Sequence, residues 1–248
     1  MLLLLLLLVG GCARPIAPTL PLPAAEDLLR RLALGGETYR TLDAEARVGV
    51  SVAGKYVSTQ QFLLLEKPDR FRTDVLSSFG QLILQLAVDR DDLSVFLNTE
   101  VPGRFYRGAA SDDNLQRFTR LPVRFRDLVR LLLYDPPRIA GENLQVSRHE
   151  QGVRLEISAA QRRQEIIFDR TLRPVECRYY RQDDLWLRAV YEKFSAQDGF
   201  PQKIRIEVPG QNTSATVHFS QVRTNTQLPA ERFVVQPPAN ALRESLPH

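Results

Sequence analysis

Few residues in this sequence could act as chemical groups, and their spacing restricts what they could do. It has two cysteines, Cys12 and Cys177, and three histidines, His149, His218 and His248. Cys12 stands where an apolar run ends, in the stretch MLLLLLLLVGGCA, so its thiol is placed for covalent modification. Cys177 alternates with Val175 and Tyr179, the position of a buried packing thiol. With Cys12 modified, Cys177 has no partner for a disulfide. The histidines are far apart and have no metal-ligand spacing. The acidic pairs Asp91-Asp92, Asp112-Asp113 and Asp183-Asp184 fall in turn-like segments, where aspartate bonds nearby backbone rather than working as a catalytic pair. There is no glycine-rich phosphate loop, nucleophile elbow or HExxH. The expectation is a protein without a cofactor, a metal or enzymatic activity.

The elements that must position these residues begin at the N-terminus. Leu2–Val9 is too short to span a bilayer, which takes roughly 20 apolar residues, but suits the apolar region of a secretory signal, about 7–15 residues. Gly10-Gly11-Cys12 resembles the lipobox of bacterial lipoproteins. That resemblance implies cleavage before Cys12, a diacylglycerol on its thiol and a membrane tether. No Lys or Arg precedes the leucines, so either the α-amino group supplies the positive charge or translation starts upstream; an ordinary cleaved signal is the alternative. The expected partition is a lipoprotein signal over 1–11 and a lipidated cysteine with a Pro-rich tether and short helix over 12–38. One domain then covers 39–238, with a C-terminal tail over 239–248. The helix is expected over Ala24–Leu34, with Leu28, Leu29 and Leu32 on one side and Gly35-Gly36 as its stop.

From Leu42 the dominant period is two, as in Ala46, Val48, Val50 and Val52, and the same alternation recurs along most of the chain. It predicts about eleven antiparallel strands with one apolar and one wet face. Phe233-Val234-Val235 reads as a last edge segment before Pro237-Pro238. The period breaks over 110–137, where Phe125, Leu128, Leu131 and Leu132 form a helical stripe stopped by Asp135-Pro136-Pro137. The net charge is only +4, and the arginines are scattered at alternating positions, which marks solvated sheet faces rather than a nucleic-acid surface. The fold class is mainly β, a single curved antiparallel sheet or an open barrel, with a helical segment covering part of it.

Three stretches carry a family resemblance. EKPDRFRTDVLSSFGQLILQL resembles the strand–turn–strand–loop–strand unit of the LolA/LolB superfamily, the bacterial lipoprotein carrier and its outer-membrane receptor. RDLVRLLLYDPP resembles the receptor's short helix with its proline stop, and VHFSQVRTNTQLPAERFVVQPP resembles the family's C-terminal strand and ending. The resemblance spans about residues 39–238 and is nearest to the LolB-like outer-membrane lipoproteins.

It implies an open barrel of about eleven strands with a helical lid over an apolar cavity for acyl chains. The expected lining is Phe62, Leu64, Phe71, Val75, Leu82, Leu84 and Leu86 from strands, with Phe125, Leu128 and Leu132 from the helix. Periodicity alone reads these equally as a filled core. The receptor's membrane-touching loop maps onto Ser77-Ser78-Phe79-Gly80, which makes Phe79 the contact residue. Ala13 after Cys12 agrees with sorting to the outer membrane, periplasmic face. The implied partners are lipoprotein acyl chains or another lipid, a LolA-type periplasmic carrier, and the membrane through the N-terminal lipid; nucleic acid is not among them. The implied function is acceptance of lipoproteins and assistance with their insertion. The alternative is an envelope lipoprotein that binds another lipid or a protein partner as a scaffold or sensor. An exposed Phe79 favours the first and a buried one the second.

Overall fold

The computed structural model describes residues 21–247; Cys12, its lipidation and the signal segment lie outside these residues. Helix α1 (Ala25–Thr38) leads into β1 (Thr41–Val52), β2 (Lys55–Glu66), β3 (Arg70–Leu76), β4 (Leu82–Asp89), β5 (Asp92–Leu97) and β6 (Arg104–Ala109). Helices α2 (Asp112–Thr119) and α3 (Phe125–Leu132) follow. The second group of strands is β7 (Asn143–His149), β8 (Gly152–Ala159), β9 (Arg162–Asp169), β10 (Pro174–Arg181), β11 (Asp184–Phe194), β12 (Pro201–Val208) and β13 (Thr213–Thr224), with β14 (Leu242–Ser245) last.

All fourteen strands join one open sheet, in the order β14-β6-β5-β4-β3-β2-β1-β13-β12-β11-β10-β9-β8-β7. Every pairing is antiparallel except β14 on β6. The long β1–β13 pairing joins the two meanders: Val48 faces Val217 and Val50 faces Ala215, so alternate valines reach the core from both strands. The fold class is therefore the expected open β-barrel with helices, and its strand count is fourteen rather than about eleven.

Three expectations change. Helix α1 does not stop at Gly35-Gly36 but continues to Thr38. Gly36 is needed for close approach instead, because a Cβ there would lie 2.5 Å from Asp135 Oδ1. Phe233-Val234-Val235 is not an edge strand: Ala230–Phe233 is a short 3-10 turn, and the segment crosses the outer face of the sheet, where Val235 N–H donates to Ser94 Oγ at 3.1 Å. The tail over 239–248 supplies the parallel edge strand β14.

The main core is one continuous cluster on the concave face, with two small clusters on the other side. Strand residues such as Leu65, Phe71, Leu86, Leu93 and Ile166 meet Leu28 of α1, Leu115 of α2 and Phe125, Leu128 and Leu132 of α3. The helices thus roof the concave side, as amphipathic elements must when their apolar stripe has only the sheet to bury against. The convex face is polar over β8–β12. There Glu165 and Glu176 lie buried beneath Arg163, Arg178 and Arg188, with Glu176 Oε1 at 2.5 Å from Arg178 and 2.6 Å from Arg188. Arg188 continues to Glu207 at 3.1 Å, and Glu192 pairs with Lys203 at 2.9 Å and Arg205 at 3.2 Å. Four of the scattered arginines, Arg163, Arg178, Arg188 and Arg205, belong to this cross-strand ladder.

Candidate functional site

Strand register decides which expected lining residues share a face. Phe71 faces Val88, Thr73 faces Leu86 and Val75 faces Leu84, so Phe71, Val75, Leu84 and Leu86 stand together on the concave side. Phe71 and Leu86 are buried in the core, with Leu84 packed against it. Phe125 closes on Phe71 edge-to-face, at a centroid distance of 6.1 Å and 85°, a favoured aromatic geometry. Leu128 and Leu132 are buried in the same cluster.

Phe62, Leu64 and Leu82 do not join them. Phe62 faces Asp74 and Leu64 faces Arg72, which puts both on the convex side; Leu63 and Leu65 hold the concave positions and are buried in the core. Phe62 is 40% exposed and lines an outer groove with Asp43, Glu45, Asp74 and Arg223. Leu64 packs with Leu228 and Phe233. Leu82 packs against Ala87, Phe96, Phe105 and Val235. The reason for Leu82 is a bulge: Val75 faces Leu84 but Leu76 faces Leu82, so Ile83 is the extra residue and the alternation reverses there. For Phe62 and Leu64 it is the C-terminal segment, which covers the convex face and makes it apolar locally.

Phe79 caps a rigid turn at one end of the sheet. Ser77 N–H donates to Gln81 O at 2.8 Å, and Gly80 N–H donates to Ser77 O at 3.0 Å. Ser77 Oγ accepts from Phe79 N–H at 3.2 Å and Gln81 N–H at 3.1 Å. Gly80 has φ 78°, which a side chain would strain. The turn holds Phe79 89% exposed. The β1–β2 turn, the 98–103 loop and the β12–β13 connection lie at the same end, as the antiparallel register requires. They add the exposed side chains of Tyr56, Val57 and Val101. Periodicity gives no sign of these further tips, since Tyr56 and Val57 are adjacent at the start of β2 and Val101 lies in a loop.

Sequence reading also missed how the roof is fastened. Asp135, just after α3, accepts two hydrogen bonds from Arg130, both at 3.0 Å, and pairs with Lys67 Nζ at 3.0 Å. Lys67 also donates to Gly36 O at the end of α1. One cluster thus ties α1, α3 and the β2–β3 turn together. Burial pushes the Lys67 ammonium below its ordinary pKa, and the Asp135 hydrogen bond only partly offsets this. Gln164 clamps the chain after α3, donating to Pro137 O and accepting from Ile139 N–H, each at 3.0 Å.

Beneath lies an aromatic group in which Tyr134 meets Tyr191 at 4.8 Å and Phe194 at 5.6 Å. Tyr134 OH donates to Pro174 O and Tyr179 OH to Pro137 O, both at 2.7 Å. Burial raises the pKa of Tyr134 and of Tyr191, so these phenols stay neutral. Cys177 is fully buried and burial pushes its thiol up, which makes it an unreactive packing group. Among the described residues no three His, Cys, Asp or Glu side chains come together as a metal site.

No protein-family model and no curated protein sequence matches the chain. Solved structures do. A DUF1329 family protein from Desulfovibrio piger matches with a TM-score of 0.56 at 19% identity, over 87% of this chain and 98% of its own. An outer membrane lipoprotein-sorting protein domain from Vibrio parahaemolyticus, described as putative, matches with 0.54 at 13% identity, over 85% and 97%. A LolA superfamily protein from Nitrosomonas europaea matches with 0.53 at 13% identity, over 86% and 98%. The concave sheet roofed by short helices is the LolA-like fold.

Proposed function

We propose that this chain is a lipid-tethered envelope protein that accepts lipoproteins or their acyl chains against its concave face and assists their insertion into the outer membrane. The observation that carries the reading is Phe79, held 89% exposed on a braced turn. None of the described residues buries it, and Tyr56, Val57 and Val101 are exposed at the same end. Moving one phenylalanine into an apolar medium is worth about 1.5–3 kcal/mol. That favours transient contact and does not anchor a protein, so a separate tether is required, which lipidation at Cys12 would supply.

The acyl chain would take the place of the α3 side chains over Phe71, Val75, Leu84 and Leu86. Phe125 closes on Phe71 edge-to-face, Leu128 and Leu132 share one apolar cluster with Phe71, Leu84 and Leu86, and an acyl chain offers the same kind of contact. Each methylene taken from water contributes about 0.8 kcal/mol. Transfer from a LolA-type periplasmic carrier would then follow from a difference in affinity between two apolar sites, without a cofactor or a covalent step.

The test is transfer of a labelled lipoprotein from the organism's own LolA-type carrier to a Cys12→Ala form, followed by delivery to liposomes. The expected result is transfer by both this form and its Phe79→Glu derivative, with delivery lost in the latter. Absence of transfer would sink the acceptor reading and leave an envelope protein that binds another lipid or partner.

A further inference from the structure

The strongest unassigned feature is a cleft of about 260 Å³ between the start of α3, the segment after it and the ends of β9, β10 and β11. Arg124, Arg138, Arg162 and Arg181 line it. None of the four has a carboxylate within 4.0 Å among the described residues. Arg163 lies there too, but its charge is met by Glu156 and Glu165. The register sets Arg162 directly opposite Arg181. Like charges so placed destabilise a sheet, and Asp184, paired with Arg181 on its other side, makes no ion pair with it within 4.0 Å. The one carboxylate on the cleft is Asp127, whose pKa burial raises. Four arginines therefore line one cleft that holds a single carboxylate.

The cleft also has an apolar wall. Trp186 lies beneath the Arg181 guanidinium, 4.1 Å from it, with Leu187 and Ile139 beside it. The turns after β8 and β10 belong to the same end of the sheet as the Phe79 turn, since β9, β10, β11, β12, β13 and β1 pair antiparallel each with the next. A planar guanidinium donates a fork of hydrogen bonds that matches phosphate oxygens. We infer that this cleft binds a phosphate group, of the kind carried by an anionic lipid headgroup, beside the end of the sheet that bears Phe79. The inference goes beyond the acyl-chain reading and does not depend on it.

Trp186 is the only tryptophan of the chain, so its emission reports on the cleft directly. The full chain carrying Cys12→Ala is titrated with dihexanoyl phosphatidylglycerol below its micelle concentration. The expected result is a saturable change in emission that weakens with added salt. Binding should fall about tenfold or more in Arg162→Gln/Arg181→Gln, the loss expected for hydrogen bonds to a charged group. Dihexanoyl phosphatidylcholine should bind about tenfold more weakly than the anionic lipid. Inorganic phosphate that displaces the lipid supports the site with the headgroup as its source. Inorganic phosphate that saturates the site where the lipid does not bind supports it with free phosphate as the source. No saturable change with either probe, equal binding of the zwitterionic lipid, or unchanged affinity in the double variant would overturn the inference. None of these outcomes turns on acyl transfer, so the two readings fail separately.

Discussion

On β8–β12 the convex face is closed by charges, whereas on β2–β5 it is closed by an apolar strap from the C-terminus. In the first region Glu165 and Glu176 lie buried under arginines from neighbouring strands, so each strand is tied to the next by directional bonds. In the second, Phe233 and Val235 fill the surface over Leu64, Ala87, Phe96 and Phe105, and a groove remains beside Phe62. Both regions present the same kind of apolar wall on the concave side. The difference teaches that the concave wall is the common requirement of the fold, and that the convex side can be closed by either chemistry. The strapped half also carries the exposed tip at Phe79.

The largest expected effect tests the strap. Phe233 is buried, and Phe233→Ala should cost about 3–5 kcal/mol, read as a lower denaturation midpoint. A neutral result would mean that the strap is peripheral to the strapped half. Next comes the ladder. Removing one member of a buried charge network costs about 3 kcal/mol or more, so Glu176→Gln should lose about that much at neutral pH.

The pH dependence of that loss sharpens the comparison. Burial pushes the Glu176 carboxyl up, but hydrogen bonds from Arg188 and Arg178 outweigh it and hold the group below its ordinary 4.5. Its contribution is therefore complete above about pH 4.5 and disappears as pH falls through the lower folded value. The gap between parent and Glu176→Gln should close in acid, while the gap for Phe233→Ala should persist.

Smaller again is Lys67→Met, which removes one partner of Asp135 and leaves Arg130 in place. A loss of about 1–2 kcal/mol is expected, with the α1 and α3 amides exchanging faster than those of β8–β12. The smallest structural effect belongs to Phe79→Glu, an exposed change that should stay within about 0.5 kcal/mol while abolishing delivery to liposomes.

Much of this was legible in the sequence where periodicity is strict. Phe71, Leu84 and Leu86 fell on the concave face because alternation holds across β3 and most of β4. Leu82 did not, because one extra residue at Ile83 reverses the alternation and no residue type marks that bulge. Phe62 and Leu64 were misassigned for another reason: Leu63-Leu64-Leu65 is apolar on both faces, and only the long-range return of Phe233 explains why. Strand β7 went unread because an edge strand with Leu144 and Val146 carries a weak signal, and β14 because its partner β6 is distant in the chain. The α3 stripe was legible from Phe125 to Leu132. Its fastening was not, because Lys67, Asp135 and Gly36 meet only in the folded chain.

The most direct test of the account asks which face takes the acyl chain. A photoreactive benzoylphenylalanine is placed at Leu84, on the concave wall, or at Phe62, in the convex groove, and each protein is loaded from a carrier holding a lipoprotein with labelled acyl chains. The account predicts acyl crosslinks at Leu84 and none above background at Phe62. Crosslinking at Phe62 with none at Leu84 would contradict it and move the lipid site to the strapped convex face.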